Sequence, residues 1–186
     1  MEDWNELKQA CLSCRKCGLC ETRHKVVFGM GKEDTDILFV GEGPGEQEDL
    51  TGVPFVGPAG KLLDDMLSII DLDRNQNCYI ANIVKCRPPH NRDPRDEEQE
   101  ACMAYLNAQI RLIRPRIIVC LGRIAATKLI RKDFRITREH GTWTQIDGIW
   151  YTATYHPSAL LRDESKRPDA FQDLLEIRRK AAKEGI

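Results

Sequence analysis

The stretch DILFVGEGPGEQEDLTGVPFVGPAG, residues 36–60, decides how this chain reads. Its apolar run Ile37-Leu38-Phe39-Val40 has the composition of a buried strand, and it breaks at once into Gly41-Glu42-Gly43-Pro44-Gly45. Glycines at 41, 43 and 45 let the backbone turn sharply and approach a ligand closely. A buried strand that ends in such a loop is how open α/β folds place ligands, at the carboxyl ends of parallel strands. The loop is no dinucleotide fingerprint, because Glu46 stands where the final glycine belongs, and it lacks the Gly-Lys-Ser/Thr of a phosphate cradle. Its carboxylates Glu42, Glu46, Glu48 and Asp49 would repel a phosphate, so it suits a neutral ligand or a positioned water. A connecting turn with a solvated acidic face explains the loop alone equally well.

Outward from this stretch, Pro58 opens a helix that puts Leu62, Leu63, Met66, Leu67 and Ile70 on one face. Residues 78–84 form a second strand that runs into a proline-rich polar loop, residues 85–92. Asp93-Pro94 reads as the N-cap and first residue of a helix carrying Cys102, Tyr105, Leu106, Ile110 and Ile113 on one face, ended by Arg114-Pro115. Residues 117–121 are a third strand that turns at Gly122 into a helix through Ile130. Residues 143–155 read as a hairpin turning at Asp147-Gly148, with His156-Pro157-Ser158 at its end. A last helix near residues 170–180 sets Phe171, Leu174, Leu175 and Arg178 at helical spacing. This alternation predicts a parallel sheet covered by helices on both faces. The loops at 41–55, 85–92 and 156–162 all follow strands, so they share one sheet edge and can converge on a single site.

At 186 residues the chain is the size of one domain. Its formal net charge of −1 supplies no attractive field for nucleic acid, so any such binding needs a local basic patch. Arg131, Lys132, Arg135 and Arg138 form one candidate stretch, which a solvated basic face explains equally well. No signal peptide and no apolar run of membrane-spanning length is present, which predicts a soluble intracellular protein. Eight cysteines are many for a reducing compartment. Cys78 and Cys120 sit in apolar runs and read as core residues. Cys11, Cys14, Cys17 and Cys20 follow one another at x2 spacing, which suits zinc or an iron–sulfur cluster. The run departs from a bacterial ferredoxin, whose last spacing is longer and followed by proline. Cys86 and Cys102 with one N-terminal pair form the alternative ligand set, and spacing alone does not choose between them.

Three motifs in order, GEGPGEQED with GVPFVGPAG, then NIVKCRPPHNRDP, then HPSALLR, resemble the family 4 uracil-DNA glycosylases, the iron–sulfur members of the uracil-DNA glycosylase superfamily. The resemblance runs from about Cys14 to Arg162. It implies a three-layer α/β/α sandwich with a central, mainly parallel four-stranded sheet. It implies one domain over residues 1–186, with the cysteine-rich N-terminal segment packed on it. It implies a [4Fe–4S] cluster on Cys14, Cys17, Cys86 and Cys102, with Cys11 and Cys20 as bystanders. The implied activity is hydrolysis of the N-glycosidic bond of deoxyuridine in DNA by a cytoplasmic, nucleoid-associated monomer. A sliding-clamp partner is left open.

The resemblance also distributes roles. Asn82 would pair with uracil O4 and N3–H, since a carboxamide carries both an acceptor and donors. Cytosine reverses both edges and would leave buried groups unpaired. Phe55 would stack on the flipped base. Glu48 would fill the space of a thymine methyl. His156 would donate to O2 as charge gathers there. The backbone of Gly41, Glu42 and Gly43, with Glu42 and Asn91, would position the water. Ser158 and Arg162 would hold phosphates, with Leu160 or Leu161 as a wedge in the vacated stack. An iron–sulfur electron carrier, which would show a reversible redox couple and need neither Asn82 nor His156, and a noncatalytic nucleotide-binding module, which would bind a ligand without releasing a base, compete with this reading. Superfamily members that hold uracil-DNA covalently use a histidine in a basic inserted loop. His90 lies in that region, but the inserted loop is missing.

Overall fold

The apolar run at residues 37–41 becomes the middle of the sheet. A computed structural model describes residues 3–186 of the chain. Its strands are β1 (Met30–Gly31), β2 (Ile37–Gly41), β3 (Tyr79–Asn82), β4 (Ile117–Leu121), β5 (Thr144–Ile146) and β6 (Ile149–Thr154), in the spatial order β1-β3-β2-β4-β6-β5. Parallel pairing joins β3, β2, β4 and β6. The helices are α1 (Trp4–Leu12), α2 (Leu19–Thr22), α3 (Glu46–Thr51), α4 (Pro58–Ile69), α5 (Asp96–Ile113), α6 (Arg123–Leu129), α7 (Ile136–Glu139), α8 (Pro157–Arg162) and α9 (Arg167–Lys183).

Both faces of the sheet are covered, so its central strands are buried throughout, as parallel strands require. Leu38, Val40, Ala81, Ile118 and Cys120 face α1, α5 and α6 through Leu7, Leu106 and Ala125. Ile37, Phe39, Ile80, Ile117 and Val119 face α4, α8 and α9 through Leu63, Leu160 and Leu174. The three-layer α/β/α sandwich is therefore present. Chain order reverses on either side of β2, which makes the carboxyl ends of β2, β3 and β4 the switch point where such sheets open a crevice.

Three details depart from the sequence reading. The sheet has six strands and is mixed, not four-stranded, because each edge gains an antiparallel strand. β5 is the first arm of the expected hairpin, whose turn uses positive φ at Asp147 (50°) and Gly148 (82°). β1 is two residues long and carries no periodicity to read. Second, α5 begins at Asp96 with Arg95 as its cap, not at Asp93-Pro94. The Glu98 carboxylate folds back to accept from the Arg95 N–H at 3.2 Å and from Arg92 at 2.7 Å, which leaves Asp93 outside the helix. Third, α9 runs longer than read, over Arg167–Lys183, and buries Ala170, Asp173, Leu174 and Ile177. Asp173 tolerates burial because the Thr154 hydroxyl donates to it at 2.7 Å and the His140 ring meets it at 2.9 Å.

Candidate active site and cysteine pocket

The three loops do converge. Together they line a cavity of about 440 Å³ at the switch-point edge, with Glu42, Phe55, Asn82, Asn91, His156 and Arg162 among its walls. Gly41 and Asn82 are register partners across β2 and β3. A Cβ on Gly41 would stand 2.6 Å from the Phe55 ring and would meet Asn82 Oδ1, so a bare backbone is required where those two side chains meet. Asn82 is 2% exposed, and its Oδ1 has no hydrogen-bond partner. It is the one buried side-chain polar atom in that condition among the described residues.

Phe55 is held in a left-handed conformation (φ 52°) that a bulky residue adopts only when its surroundings impose it. The imposing group is Arg74, which no motif announced. Its buried guanidinium donates to the Pro54 carbonyl at 2.5 Å and the Phe55 carbonyl at 2.9 Å, and pairs with Asp64 at 2.8 Å. The Phe55 ring then lies 5.4 Å from the His156 ring, tilted by 30°.

His156 caps α8, and the Ser158 backbone N–H donates to its Nδ1 at 3.1 Å. A backbone N–H can only donate, so Nδ1 carries no proton and the neutral ring bears its hydrogen on Nε2. Burial, reinforced by the nearby Arg162 charge, pushes the His156 pKa down to about 4. The ring is therefore a neutral donor at pH 7. Gly122 (φ 89°) makes this placement possible, since a Cβ there would come 2.9 Å from His156 Cβ.

The acidic loop is less exposed than its sequence suggests. Asp49 is buried and accepts from the His24 N–H at 2.8 Å and meets the His24 ring at 2.6 Å. Glu48 accepts from the N–H groups of Gly45 (3.0 Å), Val56 (3.2 Å) and Gly57 (3.2 Å), and so fixes one cavity wall. Glu42 is different. Burial first, then a hydrogen bond to Asp93, pushes its pKa up to about 7 against the opposing charges of Arg123 and Arg162. Asp93 in turn pairs with Arg123 at 2.8 Å. Asn91 lies on the same wall and accepts from Arg87 Nε at 2.7 Å.

Ser158 and Arg162 line the cavity. Leu160 does not suit the wedge expected of it: it is 2% exposed and packs into the core beneath α8, while Leu161 is 41% exposed. Successive residues of α8 point in different directions around the helix, which turns one leucine inward and the next outward. Arg131 is engaged by Asp133 and Glu139, so that part of the basic stretch belongs to a local salt-bridge cluster. His90 is exposed and stands outside the cavity wall.

A second pocket gathers Cys11, Cys14, Cys17, Cys20, Cys86 and Cys102 between the N-terminal segment, the loop after β3 and α5. Three of these sulfurs accept an N–H: Cys14 from Lys16 (3.5 Å), Cys86 from Arg23 Nη1 (3.5 Å) and Cys102 from Lys85 (3.3 Å). Cys78 and Cys120 are fully buried in the core, as expected.

A family model described as the uracil DNA glycosylase superfamily matches residues 28–177. The chain is 44% identical over 185 residues to a type-4 uracil-DNA glycosylase of Archaeoglobus fulgidus, covering 95% of this chain and 92% of that protein. It is 45% identical over 178 residues to that of Thermotoga maritima, covering 92% and 91%. It is 40% identical over 190 residues to that of Sulfurisphaera tokodaii, covering 96% and 84%. The chain belongs to the type-4 uracil-DNA glycosylases of this superfamily.

Proposed function

We propose that the protein is a DNA repair enzyme that hydrolyses the N-glycosidic bond of deoxyuridine in DNA, releasing uracil and leaving an abasic site. The observation that carries this reading is the unmet acceptor on Asn82, buried at the cavity wall beside Phe55. An orphaned acceptor in such a place costs about 1–3 kcal/mol unless a donor arrives with the ligand. Uracil N3–H is such a donor, and its O4 accepts from the same carboxamide. Cytosine presents an acceptor at N3 and leaves Oδ1 unmet.

Each remaining residue then has work to do. The Phe55 face takes the base once it leaves the stack. Glu48, held by three backbone N–H groups, occupies the space a 5-methyl group would need. Bond breaking puts negative charge on O2, and the Nε2–H of neutral His156 donates to it more strongly as that charge grows. Glu42, its pKa raised to about 7 by burial, is poised near neutrality to accept a proton from the attacking water, with Asn91 and the Gly41–Gly43 backbone orienting it. Ser158 and Arg162 meet phosphates, and Leu161 replaces Leu160 as the wedge.

The cysteine pocket fits a [4Fe–4S] cluster held by Cys14, Cys17, Cys86 and Cys102. The N–H bonds to Cys14, Cys86 and Cys102, with Cys17 in the same pocket, support that choice. A thiolate is the better acceptor, so donors collect where thiolates are needed. When bound, the cluster would supply structural cross-linking and no step of the hydrolysis. We read residues 1–186 as one domain acting as a monomer on uracil-containing DNA in the cytoplasm. No helix among the described residues is long and apolar enough to cross a membrane.

An oligonucleotide with one uracil tests this reading. The protein should release uracil and leave an alkali-labile site, and should leave the cytosine and thymine counterparts intact. No release from the uracil strand would end it. Asn82→Ala should slow release by about 10- to 100-fold, the equivalent of one or two unmade bonds.

A further inference from the structure

Lys85 is among the largest fully buried side chains of the protein, at 1% exposure. Its ammonium donates to Gln109 Oε1 at 2.6 Å. Gln109 is also fully buried, and its amide donates to the Phe28 carbonyl at 2.9 Å, which fixes Oε1 toward the lysine. The ammonium thus has a neutral partner, and among the described residues no carboxylate forms an ion pair with it. A buried ammonium without an anion is costly, and native structures pair such charges. The same side chain lines the pocket of Cys14, Cys17, Cys86 and Cys102, and its backbone N–H donates to Cys102 Sγ at 3.3 Å. Arg23 meets the pocket too, at Cys86 Sγ (3.5 Å), and is anchored by the Cys14 carbonyl at 2.6 Å. With Lys16, the pocket has three cationic residues on its walls, of which Lys85 alone is fully buried.

We propose that Lys85 is the buried counter-ion of the cysteine-bound cluster: its ammonium balances negative charge that the four thiolates bring. This rests on the cluster reading of the pocket. Four thiolates carry more negative charge than the iron–sulfur core cancels, so the missing anion of Lys85 and the excess charge of the cluster answer one another. Arg23 contributes from the solvent side, where its charge is screened, whereas the charge of Lys85 acts at low dielectric. Added electrons make a cluster more negative, so a fixed cation beside it favours the reduced form and retards loss of the anionic cluster.

Two variants test this in the holoprotein. Lys85→Met keeps the apolar stem and removes the charge. Gln109→Glu keeps the volume and gives Lys85 a carboxylate of its own. In both, spectroelectrochemistry should show the reduced-to-oxidised ratio at a fixed potential falling about tenfold, roughly 59 mV for one electron. A chelator should bleach the visible absorbance faster in both variants. Lys85→Arg should restore parent behaviour in both measurements, which a packing role for the lysine stem would not predict. Parent values in Gln109→Glu and Lys85→Met, at full iron content, would overturn the counter-ion role and leave the cluster standing. Absence of iron from the anaerobically purified parent protein would overturn the cluster itself. Should Lys85→Met fail to fold, the Gln109→Glu result decides alone.

Discussion

At the cavity a polar atom is left over, whereas at the cysteine pocket the N–H donors are already in place. Asn82 Oδ1 waits without a partner, while Cys14, Cys86 and Cys102 each accept an N–H. A site for a transient guest keeps groups that only the guest can satisfy. A site for a permanent resident sets its donors in advance and cross-links chain segments around it. The two sites share a single stretch of chain. Asn82 ends β3 in the cavity, Lys85 and Cys86 turn into the cysteine pocket, and Asn91 and Asp93 return to the cavity. Damage at the cysteine end should therefore spread to the fold and the cavity. Damage at the cavity end should stay local.

The largest effect tests the cysteine end. Cys86→Ala or Cys102→Ala should lose iron and most soluble, folded protein, while Cys11→Ala and Cys20→Ala should keep full iron by elemental analysis. Iron retained in the Cys86 and Cys102 variants would move the ligands to the N-terminal run. The next effect separates the two leucines of α8. Leu160→Ala should lower unfolding free energy by about 2–5 kcal/mol, as removal of a buried leucine does. Leu161→Ala should leave stability unchanged and weaken binding to uracil-containing duplex. Equal melts for the two variants would contradict the inward and outward assignment.

The smallest effect concerns Glu42. Its pKa is higher in the folded protein, near 7, than the usual 4.5, so between those values the folded state holds the extra proton. Stability from this group is present below about pH 4.5 and is lost as pH rises through 7. Glu42→Gln should thus raise stability at pH 8 by on the order of 1 kcal/mol after allowing for partial exposure, and change it little at pH 4. Excision by the parent should rise with pH through about 7, and that step should vanish in Glu42→Gln. A pH profile unchanged by the substitution would remove Glu42 as the proton acceptor. His156 stays neutral across this range and adds no step above about pH 5.

The four central parallel strands were legible because buried β-branched runs alternate with amphipathic helices. β1 was not, since Met30-Gly31 owes its pairing to β3 rather than to any pattern of its own. The cavity was legible through its loops, because parallel strand ends share an edge. Arg74 was invisible: its role is to hold two carbonyls of a strained loop some twenty residues away in sequence, and nothing near it signals that. Asp93 was misread as a cap because an Asp-Pro pair before an acidic turn looks like a helix start. Leu160 and Leu161 were indistinguishable in a motif, and only the packing of α8 separates them. The burial of Asp173 on α9 was not legible, since its partners Thr154 and His140 lie on other elements.

On this division of labour the cavity does the chemistry and the cysteine pocket holds the fold. Single-turnover excision by His156→Ala, with iron content and a thermal melt taken on the same sample, tests that division most directly. Loss of one preorganised donor to the developing charge on O2 should slow excision by about 10²–10³, with iron, melting and affinity for uncleaved DNA unchanged. An early melt with excision at the parent rate would make His156 a structural residue and contradict the account.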